Sequence, residues 1–266
     1  MSIAATALPV SRPARAPLGP AIPRLIAGIA ILALWEGAVR GFMPDFVAKP
    51  SGIVEVLPSV LGSASFLESV GITLAATAEG LIAALVLGTA IGLLMGRNLI
   101  VDRALRLWIN SFNAMPMIVI LPLMSLWFGY TGYARFATIV FAAIFAVIIN
   151  AEEGAQSVSK EYLEVGRSYR GSNLRMLFDI VLPAATPYLL AGLRLAAGRA
   201  LIGAVVAEFF LAIPGLGYFI LYNSRTFHQN EAFVAVIFLS GFGVGFNMLV
   251  NAATRRFLPW YRRNET

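Results

Sequence analysis

Residues 70–95 read VGITLAATAEGLIAALVLGTAIGLLM. The run carries one ionisable side chain, Glu79. About 20 mainly apolar residues take a helix across the hydrocarbon of a bilayer, and this segment is longer than that. Five further segments of the same kind lie at about 24–42, 107–128, 134–150, 184–210 and 232–254. Together they set the fold class: an all-α integral membrane protein with about six transmembrane helices.

The composition agrees. Of 266 residues, 59% are hydrophobic and 13% charged, and the mean hydropathy is +0.79. Soluble domains carry about 25% charged residues. Cysteine is absent, which excludes disulfides, thiol catalysis and thiolate-held metals. With His228 the single histidine, a His-rich metal site cannot be assembled, and a Ser-His triad would have to be built around this outer-loop residue. A phosphate-binding loop needs a lysine after glycine, and neither Lys49 nor Lys160 follows one. The chain carries no ATPase site of that type.

The net charge of +6 orients the chain in a membrane rather than suggesting nucleic acid. With the N-terminus inside, fourteen of the twenty Lys and Arg fall on the inner side, among them Arg97, Arg103, Arg106, Lys160, Arg167, Arg170 and Arg175. Four fall outside: Arg40, Lys49, Arg135 and Arg225. Positive loops stay in the cytoplasm, so both termini are expected there. Residues 1–22, rich in Ala, Pro and Arg, read as a disordered tail. Residues 23–257 then form the membrane domain, and 258–266 a short second tail.

Polar features inside the spans are the candidates for function. Glu36 and Arg40 lie four apart in the first span and can pair. Gly88, Gly92 and Gly96 in the second, and Gly241 and Gly245 in the sixth, recur at four-residue spacing, which lets helices approach closely in lipid. The third span holds Asn110, Asn113, Pro116 and Pro122, and each proline frees a carbonyl that must face protein or water. Glu79, Arg194 and Arg199 are charges within spans, where an unpaired Arg or Asp costs ~3 kcal/mol. By helical rise, Glu79 and Arg199 lie at similar depths, which suggests an ion pair; Arg194 lies lower and can snorkel inward. Ile213-Pro214-Gly215-Leu216-Gly217-Tyr218 turns the chain after the fifth span, as a plain loop or as a hinge. Glu79, Pro116, Pro122, Arg194, Arg199, Glu208, Gly215 and Gly217 are therefore the candidates for a substrate pathway or gate.

Two loops are long enough to have structure. Outside, Ser51 can cap a short surface helix. Inside, residues 151–183 read as a helical hairpin, with a first helix from about Ala151 to Tyr169. Gly171 is its natural terminator, and Ser172 or Asn173 can cap the second.

Glu164-Val165-Gly166-Arg167-Ser168-Tyr169-Arg170-Gly171, continuing to Ile180-Val181-Leu182-Pro183, resembles the EAA motif of ABC importer permeases. The spacing from Glu164 to Ile180, Leu182 and Pro183 fits that pattern. Val165-Gly166 stands for its Ala-Ala, and Arg170 for its glycine. Trp35-Glu36, Pro50-Ser51, Pro116, Pro122, Leu123, Trp127-Phe128-Gly129, Ala191-Gly192-Leu193-Arg194 and Gly215-Leu216-Gly217-Tyr218 resemble the nitrate/sulfonate/taurine-type members.

The resemblance implies a type I ABC importer permease fold and a homodimer in a bacterial inner membrane. It implies two partner ATPase subunits that bind ATP and Mg, so that this chain binds no cofactor itself, and an extracytoplasmic solute-binding protein. Glu164, Val165, Gly166, Arg170, Gly171, Ile180, Leu182 and Pro183 would couple the chain to the ATPases. The expected function is passage of a small, anionic solute. The alternative is an ion-gradient-driven transporter, which would favour intramembrane carboxylates and broken helices in matched halves. A membrane-embedded enzyme would need clustered His, Asp or Glu, which the sequence lacks.

Overall fold

The computed structural model describes residues 21–44 and 46–257. The tail expected at 258–266, and residues 1–20 of the one expected at 1–22, lie outside the described residues. Ala21 and Ile22 already belong to the first helix.

Eleven α-helices and no strand occur among the described residues. Five helices are long and apolar enough to cross a membrane. They are α1 (Ala21–Phe42), α3 (Ala64–Arg97), α6 (Gly132–Gln156), α9 (Leu182–Leu211) and α11 (Gln229–Phe257). The sixth expected span is broken into α4 (Leu99–Ala114) and α5 (Met117–Phe128), which meet at 103°. Met115-Pro116 causes the break. Pro116 lacks the N–H that would continue the ladder and forces Met115 out of the helical region, to φ −70°, ψ 129°. Pro122 lies within α5 without ending it.

Three helices form the heart of the fold, with α6 packed between α3 and α9. Their seam is built of small residues: Ala84, Ala143, Ala196, Ala200 and Ala204 are all fully buried. The glycines of α3 allow this. A Cβ on Gly88 would stand 2.8 Å from Cβ of Val147, and one on Gly96 2.5 Å from that of Ala155. Gly92 lies closer still, against the Ile148 carbonyl. In lipid, association rests on such van der Waals approach. Gly241 and Gly245 do not share this role, since a Cβ on either would meet nothing in the described chain within 4 Å.

On one side of the bundle lies α2 (Pro50–Leu61). Its cap position is Lys49, without a side-chain cap. Ser51 lies two residues past the cap position. Its hydroxyl instead donates to Glu36 Oε1 at 2.7 Å and its N–H to Oε2 at 3.0 Å. The expected Glu36–Arg40 pair forms at 2.6 Å, so one carboxylate ties α1 to α2. On the same side, the segment after α9 is more than a loop, because Leu216–Arg225 forms α10, packed on α9, α11 and α3.

At the opposite end the hairpin is shorter than the sequence suggests. Residues 151–156 finish α6, and Ser157–Ser159 interrupt the chain. α7 (Lys160–Ser168) and α8 (Asn173–Met176) follow, then a π-helical turn over Leu177–Val181 that runs directly into α9. Ser172 caps α8, accepting from the Arg175 N–H at 3.3 Å.

Candidate functional site

Three groups of side chains carry the candidate chemistry: a helical hairpin at one end, a polar pair at the broken span, and a buried network at the other end.

The hairpin closes as α7 terminates. Arg170 N–H donates to the Arg167 carbonyl at 2.8 Å, and Gly171 N–H to the Gly166 carbonyl at 3.0 Å. This is a Schellman ending, and it requires a left-handed residue at the first position past the cap. That residue is Arg170, at φ 55°. Gly171 is not the left-handed terminator the sequence suggests; its role is close approach, since a Cβ there would stand 2.9 Å from the Gly166 carbonyl. Across the hairpin, Gly166 faces Ile180, which a Cβ would meet at 2.9 Å. Leu163 and Val181 fill the interior, with Ile180 and Leu182 packed against them. Leu182 N–H bonds the Leu177 carbonyl five residues back, and Pro183 follows within the first turn of α9. The π turn thus joins the hairpin to a span without a break in the helix.

A non-glycine residue in the left-handed region costs roughly 1–2 kcal/mol. Arg170→Gly is therefore expected to stabilise the hairpin by about 1 kcal/mol. Hydrogen exchange of the 160–176 amides checks this, and slower exchange in the variant is the expected result. Faster exchange would mean that the Arg170 side chain contributes more than its backbone strain costs.

The outer surface of the hairpin is apolar. Tyr162, Tyr169 and Phe178 are 68%, 85% and 62% exposed, and Val165 and Leu174 are exposed beside them. Glu161, Glu164, Arg167 and Arg170 surround this crown, all exposed. Glu161 is held below the usual carboxylate range by its own backbone N–H and then by the Ser159 hydroxyl, as fits the first turn of a helix.

A polar tether leads from the hairpin to the broken span. Glu152, one turn before the end of α6, pairs with Arg106 of α4. Arg106 also pairs with Asp102 at 2.6 Å, and Gln156 donates to Glu152 at 2.9 Å. At the break itself, Arg199 Nη1 of α9 donates to Asn113 Oδ1 at 2.6 Å. This pair lines a cavity of about 180 Å³ with Phe112, Met115, Met117 and Phe145.

Arg199 does not meet Glu79. The similar depths that helical rise gives them say nothing of azimuth. Glu79 lies one residue from Gly80, which packs on Ile139, and so turns to the exposed side of α3. Among the described residues Glu79 has no ion pair. Arg194 is half-buried, and its Nε makes no hydrogen bond within the described residues. Pro116 and Pro122 are exposed, Pro116 at the break.

At the other end, Glu208 and Thr73 are both 0% exposed. Thr73 Oγ1 lies 2.8 Å from Glu208 Oε2 and 3.0 Å from Oε1. Arg135 Nη1 donates to Glu208 Oε1 at 3.1 Å and to the Pro214 carbonyl at 2.9 Å. The N–H groups of Gly217 and Leu216 donate to Glu208 Oε2 at 3.0 Å and to Thr73 Oγ1 at 2.8 Å. Gly215, at φ 147°, lies so close that any Cβ would overlap the carboxylate. Four elements thus converge on one side chain. Three of its members, Glu208, Gly215 and Gly217, are among the sequence candidates; Thr73 and Arg135 are not.

Residues 84–263 match the family of binding-protein-dependent transport system inner membrane components. The chain belongs to this family. It is the membrane-spanning permease subunit of an ABC importer rather than the ATPase. Among relatives, it is 28% identical over 236 residues to the formylaminopyrimidine transport permease ThiX of Halalkalibacterium halodurans, covering 88% of this permease and 94% of that one. It is 28% identical over 247 residues to the nitrate import permease NrtB of Leptolyngbya laminosa, covering 90% and 88%. It is 29% identical over 259 residues to the taurine transport permease TauC of Escherichia coli, covering 93% of each chain. Nothing in the match supports a gradient-driven permease, and the broken span is a single one, without a matched counterpart among the described residues.

Proposed function

We propose that two copies of this permease form the translocation pathway for a small anionic solute of the nitrate, sulfonate or taurine kind, with both termini in the cytoplasm of a bacterial inner membrane. Two ATPase subunits, which bind ATP and Mg, dock beneath the hairpins, and an extracytoplasmic binding protein delivers the solute. The observation that carries the anion is Arg199 with Asn113 at the break. A guanidinium exposed in mid-span is costly against lipid, so Arg199 faces the pathway. It offers further N–H donors beyond the one Asn113 takes. Arg194 adds positive potential from the same helix, and Pro116 and Pro122 shape the wall.

The tether supports the coupling. Movement of the hairpin shifts the end of α6, and Arg106 passes that shift to α4 and hence to the break. Rocking between two packed arrangements is then driven by ligands at distant sites. Glu208, Gly215 and Gly217 hold the opposite end closed.

Arg199→Gln is expected to slow ATP-driven uptake of the anion by roughly 10–100-fold, the size of a hydrogen bond to a charged group. Arg199→Lys is expected to recover part of the loss. The measurement is uptake into proteoliposomes holding matched amounts of assembled complex. Parental uptake by the Gln variant would remove Arg199 from the pathway.

A further inference from the structure

A second cavity, of about 620 Å³, lies between the end of α3 and the hairpin. Its wall on α3 is one helical face: Ala90, Leu93, Leu94 and Arg97. Leu163, Leu174 and Leu177 give it an apolar floor, and Arg167 of α7 adds a second cation. The volume falls within the roughly 300–1,000 Å³ of small-molecule sites. Neither Arg97 nor Arg167 makes an ion pair or side-chain hydrogen bond with a described residue.

The position of these groups selects their ligand. Arg97 is the last residue of α3, two residues beyond the apolar run that ends at Met95, and so lies at headgroup depth. Leu94, one turn into the membrane, is 61% exposed and opens the cavity towards acyl chains. The geometry points to a binding site for an anionic glycerophospholipid, its phosphate between Arg97 and Arg167 and its glycerol and upper acyl carbons over Ala90, Leu93 and Leu94. Basic pockets beside membrane helices hold such headgroups. Two guanidinium groups favour a headgroup without its own cation, so phosphatidylglycerol binds in preference to phosphatidylcholine. The bound lipid joins α3 to α7 and fixes the angle of the hairpin to the bundle.

The test uses the full chain in detergent, without an ATPase. Thermal unfolding is followed with phosphatidylglycerol, phosphatidylcholine or inorganic phosphate, and retained lipid is counted by native mass spectrometry. Saturating phosphatidylglycerol is expected to raise the melting temperature by roughly 5 °C more than phosphatidylcholine does. This excess should vanish in the Arg97→Gln/Arg167→Gln variant, and inorganic phosphate should give no shift. Equal shifts from the two lipids, or an excess that survives in the double variant, would overturn the site. A phosphate shift equal to that of phosphatidylglycerol would overturn its assignment to lipid. Should the double variant not fold, Leu174→Trp keeps both charges and fills the cavity from its floor; it should lower the retained phosphatidylglycerol count, and an unchanged count would overturn the proposal.

Discussion

Glu208→Ala is expected to destabilise the permease by about 3–5 kcal/mol, because it removes one partner of a buried pair and strands the other. Arg135 would keep only the Pro214 carbonyl, and the Gly217 N–H would lose its acceptor. At about 2–4 °C per kcal/mol for a chain of this size, melting in detergent should fall by on the order of 10 °C. Gly215→Ala is expected to match it by another route. Its φ of 147° with ψ of 179° lies in a region open essentially to glycine alone, and its new methyl group would drive into the Glu208 carboxylate. Glu208→Gln should fall between parent and Ala, since the amide oxygen can still accept from one donor while its NH₂ faces another. A double-mutant cycle with Arg135→Ala separates direct pairing from general damage: coupled residues give a double variant less destabilised than the sum of the singles. Melting of Glu208→Ala at the parental temperature would show that the network contributes nothing to stability.

How much of this was legible in the sequence depends on the range of the interaction. The spans follow from hydrophobic runs, and the glycine ladder of α3 from its four-residue spacing. Both are local patterns, and helical periodicity converts them directly into faces. The break at Met115-Pro116 was visible as prolines, but a proline in a span can kink or break it, and only the packing of α5 on α6 and α9 decides for a 103° bend. The Glu79–Arg199 expectation failed because helical rise gives depth and says nothing of azimuth. Thr73 and Arg135 are not legible as site residues, because an uncharged threonine and an arginine near a span end look ordinary. Their role comes from contacts distant in sequence, above all with Glu208, 135 and 73 residues away along the chain. The Arg106–Glu152 tether was hidden for the same reason. At Arg170 the motif spacing already marked the turn, and the structure adds that the backbone stays glycine-like while the residue does not.

Removing Tyr162 and Tyr169 together should release the ATPase. Outside the membrane, exposed apolar side chains rimmed by charge suit a protein interface, and the proposed docking of the ATPase rests on exposed Tyr162, Val165, Tyr169, Leu174 and Phe178 of the hairpin. Buried tyrosines are common hot spots, each worth about 2 kcal/mol or more. Loss of two therefore weakens docking by roughly a thousandfold. The double Ala variant should purify without the ATPase and show no solute-stimulated ATP hydrolysis in proteoliposomes. Its hairpin should remain folded, because both rings point away from the interior made by Leu163, Ile180 and Val181. Gly166→Val gives the contrast, since it drives a side chain into Ile180 and should lose the ATPase by unfolding the hairpin, with fast amide exchange over 160–176. If the double Ala variant keeps the ATPase at parental yield while Gly166→Val loses it, the hairpin is recognised by its charged rim and backbone shape, and Glu161 with Glu164 become the contacts to replace next.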